Sequence, residues 1–122
     1  MPGYARFVAL RESDAATTLP TNAGQNETTF EGFQAPGINP RAPAVLMFRL
    51  NPRGTESVTL RVRLASSNVV LMETTFTTDA ARSWHEIIPA GALAADGNQM
   101  IVSVTGPGSI QVSDFVFLYD AS

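Results

Sequence analysis

The chain has 122 residues, of which only 16% are charged, and its formal net charge is −3. This length is enough for one domain with one hydrophobic core, so residues 1–122 are treated as a single domain. The mild negative charge and the absence of a basic run argue against a nucleic-acid-binding protein. Because the chain contains no cysteine, disulfides and thiolate metal sites are excluded.

Apolar runs are at most five residues long, which is too short for a membrane-spanning helix. The segment MPGYARFVAL lacks a basic region followed by a long apolar stretch. We therefore expect no signal peptide, synthesis in the cytoplasm and no contact with a membrane.

The first predicted strand is YARFVALR, and the segment that follows it differs in composition. Residues 13–43 are rich in Thr, Asn, Gly, Ala and Pro, and a structureless loop of that length is unusual in a compact domain. The segment also contains Phe30 and Phe33, which disordered linkers seldom carry. We interpret it as a long N-terminal arm, with a short strand at ETTFEGF, that lies over the domain or over a neighbouring subunit.

Alternating apolar and polar residues predict the remaining strands. AVLMFRLN and SVTLRVRLAS show the pattern clearly and are separated by the turn signal NPRG. NVVLMETTF, SWHEIIP, NQMIVSVTG and SIQVSDFVFLYD follow, with ADG and GPG between the last three. Seven or eight strands at spacings near ten residues predict an all-β, antiparallel sandwich or barrel.

The last strand is apolar on both sides. One side carries Val116 and Leu118 with Asp114, and the other carries Phe115, Phe117 and Tyr119. We expect the three rings to lie on the outward side of the sheet, where such a stripe needs a cover. Three interpretations of what covers the rings remain: the arm, another subunit or host scaffold, or a ligand.

No catalytic motif stands out, so we predict that the protein is not an enzyme. WHEII begins like a zinc-protease signature, but Pro89 stands where the second histidine would be, and His85 is the only histidine. No nucleophile-elbow pattern accompanies His85, and no pair of acids for glycoside hydrolysis is evident.

Asp114 interrupts an apolar strand, and three interpretations are open. It accepts backbone hydrogen bonds at a bulge, it pairs with Arg6 or Arg49, or it binds a structural calcium ion together with Glu12. Trp84, the only tryptophan, is either a core residue or an exposed platform on which a sugar ring stacks.

Roughly the last third of the chain resembles a jelly-roll β-sandwich of the galactose-binding or carbohydrate-binding-module type, which implies a jelly-roll-like fold. The resemblance rests on Trp84 and Ile88-Pro89 in WHEIIP, on Gly97-Asn98 in DGNQMIVSV, and on the final strand with its internal Asp114. It implies that Asn98 opens a strand and contributes with Trp84 to a ligand site, and that Asp114 helps to hold calcium. In chain length and N-terminal arm, the protein is also similar to decoration (cement) proteins of tailed-phage heads.

These observations lead to two functional hypotheses. The first is a non-enzymatic assembly subunit, part of a virion, that forms a homo-oligomer such as a dimer or trimer and clamps onto a phage capsid. Its predicted contacts are Phe115, Phe117 and Tyr119 with the arm residues Phe30 and Phe33. The alternative is a carbohydrate-binding module or small lectin.

Overall fold

The computed structural model describes residues 4–10, 16–21, 24–53, 56–77 and 80–121. These residues form nine strands in two antiparallel sheets. They contain no helix, and hence none that is long and apolar enough to cross a membrane. The predicted all-β sandwich is confirmed, with β2 as the strand that the sequence patterns did not reveal.

The nine strands are numbered in chain order. They are β1 (Tyr4–Ala9), β2 (Thr17–Leu19), β3 (Glu27–Phe33), β4 (Ala44–Arg53), β5 (Val58–Leu64), β6 (Val69–Phe76), β7 (Arg82–Ile88), β8 (Asn98–Thr105) and β9 (Ser109–Ala121). Sheet A has the order β1–β9–β4–β7, and β2 also pairs with β9. Sheet B has the order β3–β8–β5–β6.

The period of two places one side of each central strand in the core. On β4 and β5 the residues predicted to share a face are all buried: Leu46, Phe48 and Leu50, and Val58, Leu60, Val62 and Leu64. They meet Met100, Val102 and Val104 of β8 and the inward residues of β9 in one apolar cluster. The polar residues between them, such as Arg49 and Arg61, are exposed.

Strand β9 changes its inward side at Asp114. Ile110 and Val112 are buried before this residue, whereas Phe115 and Phe117 are buried after it. The change follows from a β-bulge. Met47 of β4 pairs with Val116 but Arg49 pairs with Ser113, so β9 has one residue more than its partner.

Asp114 adopts the left-handed backbone conformation that this bulge requires, with φ of 59°. Aspartate tolerates that conformation better than β-branched or bulky residues do. The structure therefore places Asp114 at a bulge, whereas the backbone hydrogen bonds predicted to its carboxylate stay a prediction.

The predicted outward placement of the last-strand rings is wrong. Phe115, Phe117 and Tyr119 are 5%, 0% and 3% exposed and lie between the two sheets. The prediction assumed an uninterrupted alternation, and the extra residue at Asp114 reverses the sides. The residues that face outward after the bulge are Val116 and Leu118.

The cover of the rings comes from the same chain. Phe30 of β3 lies 5.2 Å from Phe115 between ring centroids, and Phe33 stacks on Phe117 at 5.0 Å. Residues of the predicted arm do contact these rings, but they do so between the two sheets and not as a cover over an outward face. All five predicted contact residues are in or against the chain's own core, and the interface assigned to them is corrected accordingly.

The described part of residues 13–43 is a component of the sandwich, and the prediction of an extended arm is corrected. It supplies β2 to sheet A and β3 to sheet B. The segment after β3 contacts the end of β9: the Tyr119 hydroxyl donates to the Pro36 carbonyl at 3.0 Å, and Asn39 N–H donates to the Asp120 carbonyl at 2.8 Å.

Candidate functional site

A half-buried tryptophan lies at the open side of the sandwich, between β7 of sheet A and β6 of sheet B. Trp84 is on β7, and its ring contacts Phe76 of β6 edge-to-face, with centroids 5.5 Å apart and planes at 82°. Both strands are the last in their sheets, so no further strand covers this side in the described part of the chain. Of the two interpretations of Trp84, the structure supports parts of both, since the ring packs against the core and keeps some surface exposed.

Charged groups flank the indole. Trp84 Nε1 donates to Glu86 Oε1 at 2.9 Å. The Arg82 guanidinium lies 5.3 Å from the centroid of the Phe76 ring, and its Nε donates to the Ala80 carbonyl at 3.4 Å. We call Phe76, Arg82, Trp84 and Glu86 the edge cluster.

The alternation of β7 brings the edge cluster together. Arg82, Trp84 and Glu86 are at positions of equal parity and project toward the same side of the strand, whereas His85 and Ile87 project to the other side and are exposed. Sequence reasoning identified Trp84 but not its neighbours. The same period of two in SWHEIIP would have placed Glu86 beside it.

The edge cluster has the composition of a small-molecule binding surface: an aromatic face with a few convergent polar groups. An indole ring offers a flat apolar surface, and a carboxylate and a guanidinium supply a hydrogen-bond acceptor and donors. The described residues include no group of three or more His, Asp or Glu side chains arranged to hold a metal ion.

Asn98 opens β8 as predicted, but it does not belong to an accessible ligand site. It is 0% exposed. Its Nδ2 donates to the carbonyls of Phe33 and Ala94 at 3.0 and 2.7 Å, and its Oδ1 accepts from Ala94 N–H at 2.8 Å. The amide thus joins the end of β3 to the loop before β8, and its predicted role in ligand binding is wrong because the whole amide is used inside the chain.

Asp114 is exposed, and its Oδ2 accepts a hydrogen bond from Ser113 Oγ at 3.2 Å. Glu12, its predicted calcium partner, lies outside the described residues. The calcium site with Asp114 and Glu12 remains a prediction.

A shallow depression of about 520 Å³ on another part of the surface is lined by residues 25–29. All of these residues are polar, and none is aromatic. It lacks the flat apolar surface that distinguishes the edge cluster.

The sequence matches no protein-family model and no curated protein at a significant level. Solved structures match the fold. The CBM36-1 domain of a multidomain xylanase from the hindgut metagenome of Trinervitermes trinervoides has a TM-score of 0.56 at 8% identity, over 98% of this chain and 99% of that one. The carbohydrate-binding module CBM36, solved with calcium and xylotriose, has a TM-score of 0.52 at 10% identity, over 95% and 99%.

A third match is dimeric latent PorU from Porphyromonas gingivalis, with a TM-score of 0.75 at 8% identity. It covers all of this chain, which corresponds to 13% of the length of PorU. At these identities the matches establish the fold alone. The resemblance to the sandwich of carbohydrate-binding modules is confirmed at that level, and the comparisons give no support to the likeness to phage decoration proteins.

Proposed function

We propose that the protein is a non-catalytic carbohydrate-binding module that binds a glycan at the edge cluster. The observation that carries the proposal is the half-buried indole of Trp84 with Glu86 hydrogen-bonded to it. The end-to-end likeness to carbohydrate-binding modules, one of them solved with xylotriose, supports this class of ligand.

In this mechanism the exposed part of the Trp84 ring covers the apolar face of a pyranose. The indole N–H occupies Oε1 of Glu86 and thereby fixes the carboxylate, so that Oε2 accepts a hydrogen bond from a sugar hydroxyl. A surface that is open on one side favours a chain of several sugar units over a single enclosed ring.

Binding fits this cluster better than hydrolysis does. Glycoside hydrolysis requires two carboxyl groups on either side of the scissile bond, about 5–9.5 Å apart. Glu86 is the only acid in the edge cluster and already accepts the indole proton donor. The assembly-subunit hypothesis was based on outward rings at Phe115, Phe117 and Tyr119, and these rings are buried.

Because Trp84 is the only tryptophan in the chain, its fluorescence reports directly on binding at the edge cluster. Titration with xylo- and cello-oligosaccharides should change the Trp84 emission in a saturable manner. Calorimetry with Trp84→Ala should show loss of binding, and Glu86→Gln should weaken it about tenfold through loss of the charged acceptor. Glu73→Gln is the matched control, because Glu73 is exposed on β6 outside the cluster.

Emission that no glycan changes, together with no heat of binding across a panel of plant, fungal and bacterial polysaccharides, would overturn the proposal. Equal affinities for wild type, Trp84→Ala and Glu86→Gln would reject this site, even if a glycan binds elsewhere.

A further inference from the structure

The outer side of sheet A carries a row of apolar residues that crosses four of its five strands, β1, β9, β4 and β7. Phe7 of β1 pairs with Leu118 of β9, Leu118 pairs with Val45 of β4, and Val45 pairs with Ile87 of β7. Phe7 and Ile87 at the two ends of the row are each 71% exposed, and Leu118 is 37% exposed. A contiguous apolar patch of this kind is typical of a contact surface.

The side chains on the same surface change from apolar to polar along the strands. One level further, Val116 pairs with Met47, and both are half-buried. Beyond them Arg49 pairs with Ser113 beside the exposed Asp114. Asn51 and Gln111 then form a pair of amides. Beyond the Val116–Met47 level the outward residues of β4 and β9 are therefore polar, while Asp120 is a polar residue at the opposite end of β9.

This arrangement is self-complementary. The two central strands, β4 and β9, are flanked by β7 and β1. A twofold axis in the plane of contact, parallel to the strands and between β4 and β9, places β4 on β9 of a second copy and β7 on β1. Val45 then lies over Leu118 of the second copy, and Ile87 lies over Phe7.

The same operation also matches the charges. It places Arg49 over the Ser113–Asp114 segment of the second copy, and it does so twice in the dimer. Because Asp114 is exposed at that level, the operation brings a guanidinium close to a carboxylate on both sides of the axis. We therefore propose that the outer side of sheet A is the interface of a homodimer of this chain, with sheet A packed on sheet A.

The available area sets the strength of this contact. A surface four strands wide, at about 4.8 Å per strand, and about eight residues long, at about 3.3 Å per residue, covers roughly 500 Å². Two such surfaces bury roughly 1,000 Å², which is near the lower limit for specific interfaces. The dimer is consequently expected to dissociate on dilution.

The homodimer does not depend on the proposed sugar site. Trp84 projects from β7 toward β6, whereas Ile87 projects from the opposite side of the same strand. A dimer through the outer side of sheet A leaves the edge cluster accessible, and either proposal can fail without the other.

Sedimentation velocity over a wide range of protein concentration tests the homodimer. The wild-type chain should pass from monomer to dimer as the concentration rises. Ile87→Glu should raise the dimer Kd by about a hundredfold or more, because the change occurs twice in a twofold interface. Val70→Glu is the matched control: Val70 is also exposed on an edge strand, at 47%, but it belongs to sheet B.

Charge variants test the orientation of the two copies. Arg49→Glu should weaken dimerisation by placing two carboxylates together, and the added change Asp114→Asn should recover part of the loss. A chain that stays monomeric at every concentration, or equal effects of Ile87→Glu and Val70→Glu, would overturn the proposal. Failure of Asp114→Asn to recover any dimer would overturn the proposed axis, with circular dichroism confirming that each variant is folded.

Discussion

The ring of Phe33 stacks on the ring of Phe117, with centroids 5.0 Å apart and planes at 20°. The two residues come from opposite sheets and from opposite halves of the chain. Phe117 is fully buried, whereas Phe33 is partly exposed at the rim of the core. The contact therefore packs β3 of sheet B against β9 of sheet A.

Truncation of this pair should destabilise the fold to different extents. We expect Phe117→Ala to lower the free energy of unfolding by about 3–5 kcal/mol through lost burial and the cavity left behind. Phe33→Ala should cost less, because its ring is partly solvated in the folded state. Urea denaturation of the two single variants and the double variant should give a coupling of about 0.5–1.5 kcal/mol. Phe7→Ala, at a ring that is 71% exposed, is the control and should change stability little at high dilution. A coupling near zero would contradict the stacking contact.

The strands and most of the core could be predicted from the sequence because their cause is local. Alternation in AVLMFRLN and SVTLRVRLAS identifies β4 and β5 and their buried sides without knowledge of the partners. The outcome was different on β9, where one extra residue reverses the inward side. Only the pairing of β9 with β4 shows that residue to be extra, and pairing between distant strands has no local signature.

The candidate site was predictable only in part for a related reason. Trp84 could be singled out from its residue type, but its contact with Phe76 depends on how sheet A lies over sheet B. For Asn98 the strand was predicted correctly, but the surroundings of its side chain were not. A Gly-Asn pair before a strand predicts the strand correctly, yet whether the amide faces solvent or the backbone of Phe33 depends on a segment far away in the sequence.

Substitution of Asp114 should separate backbone strain from side-chain contacts. Its φ of 59° lies in the left-handed region, which glycine adopts without penalty and which costs residues with a Cβ about 1–2 kcal/mol. We expect Asp114→Gly to stay within about 1 kcal/mol of the wild type in urea denaturation. Asp114→Ala should be less stable than Asp114→Gly by about 1 kcal/mol. Ser113→Ala removes the hydrogen bond to Asp114 without changing that residue and serves as the control. Equal stabilities of the alanine and glycine variants would argue against a strained bulge.

Variants of Asp114 also test the predicted calcium site. If Asp114 and Glu12 hold a calcium ion as predicted, calcium bound to the folded chain alone should raise the melting temperature with ion concentration, and EDTA should abolish the rise. A rise that disappears in Asp114→Asn would support the predicted site. A melting temperature that is the same in EDTA and in excess calcium would contradict it. Magnesium at the same ionic strength controls for non-specific salt effects.

The buried amide of Asn98 gives the sharpest prediction about stability. It makes three hydrogen bonds to backbone groups of Phe33 and Ala94, and it is 0% exposed. Asn98→Ala leaves these backbone groups without partners inside the protein, at about 1–3 kcal/mol for each buried unsatisfied group. Some of that cost is recovered where water enters the space of the side chain, so we expect a loss of about 2–4 kcal/mol in urea denaturation.

Asn98→Asp keeps the size of the side chain but replaces the amide NH2 donor by a carboxylate oxygen. That oxygen faces the carbonyl oxygens of Phe33 and Ala94, so Asn98→Asp should be at least as destabilising as Asn98→Ala. Gln99→Ala is the neighbouring control, since the Gln99 side chain contacts Glu31 at the surface and should contribute little. If Asn98→Asp were as stable as the wild type, the amide would not be the group that joins β3 to the loop before β8, and Asn98 would regain its place among the candidate ligand-binding residues.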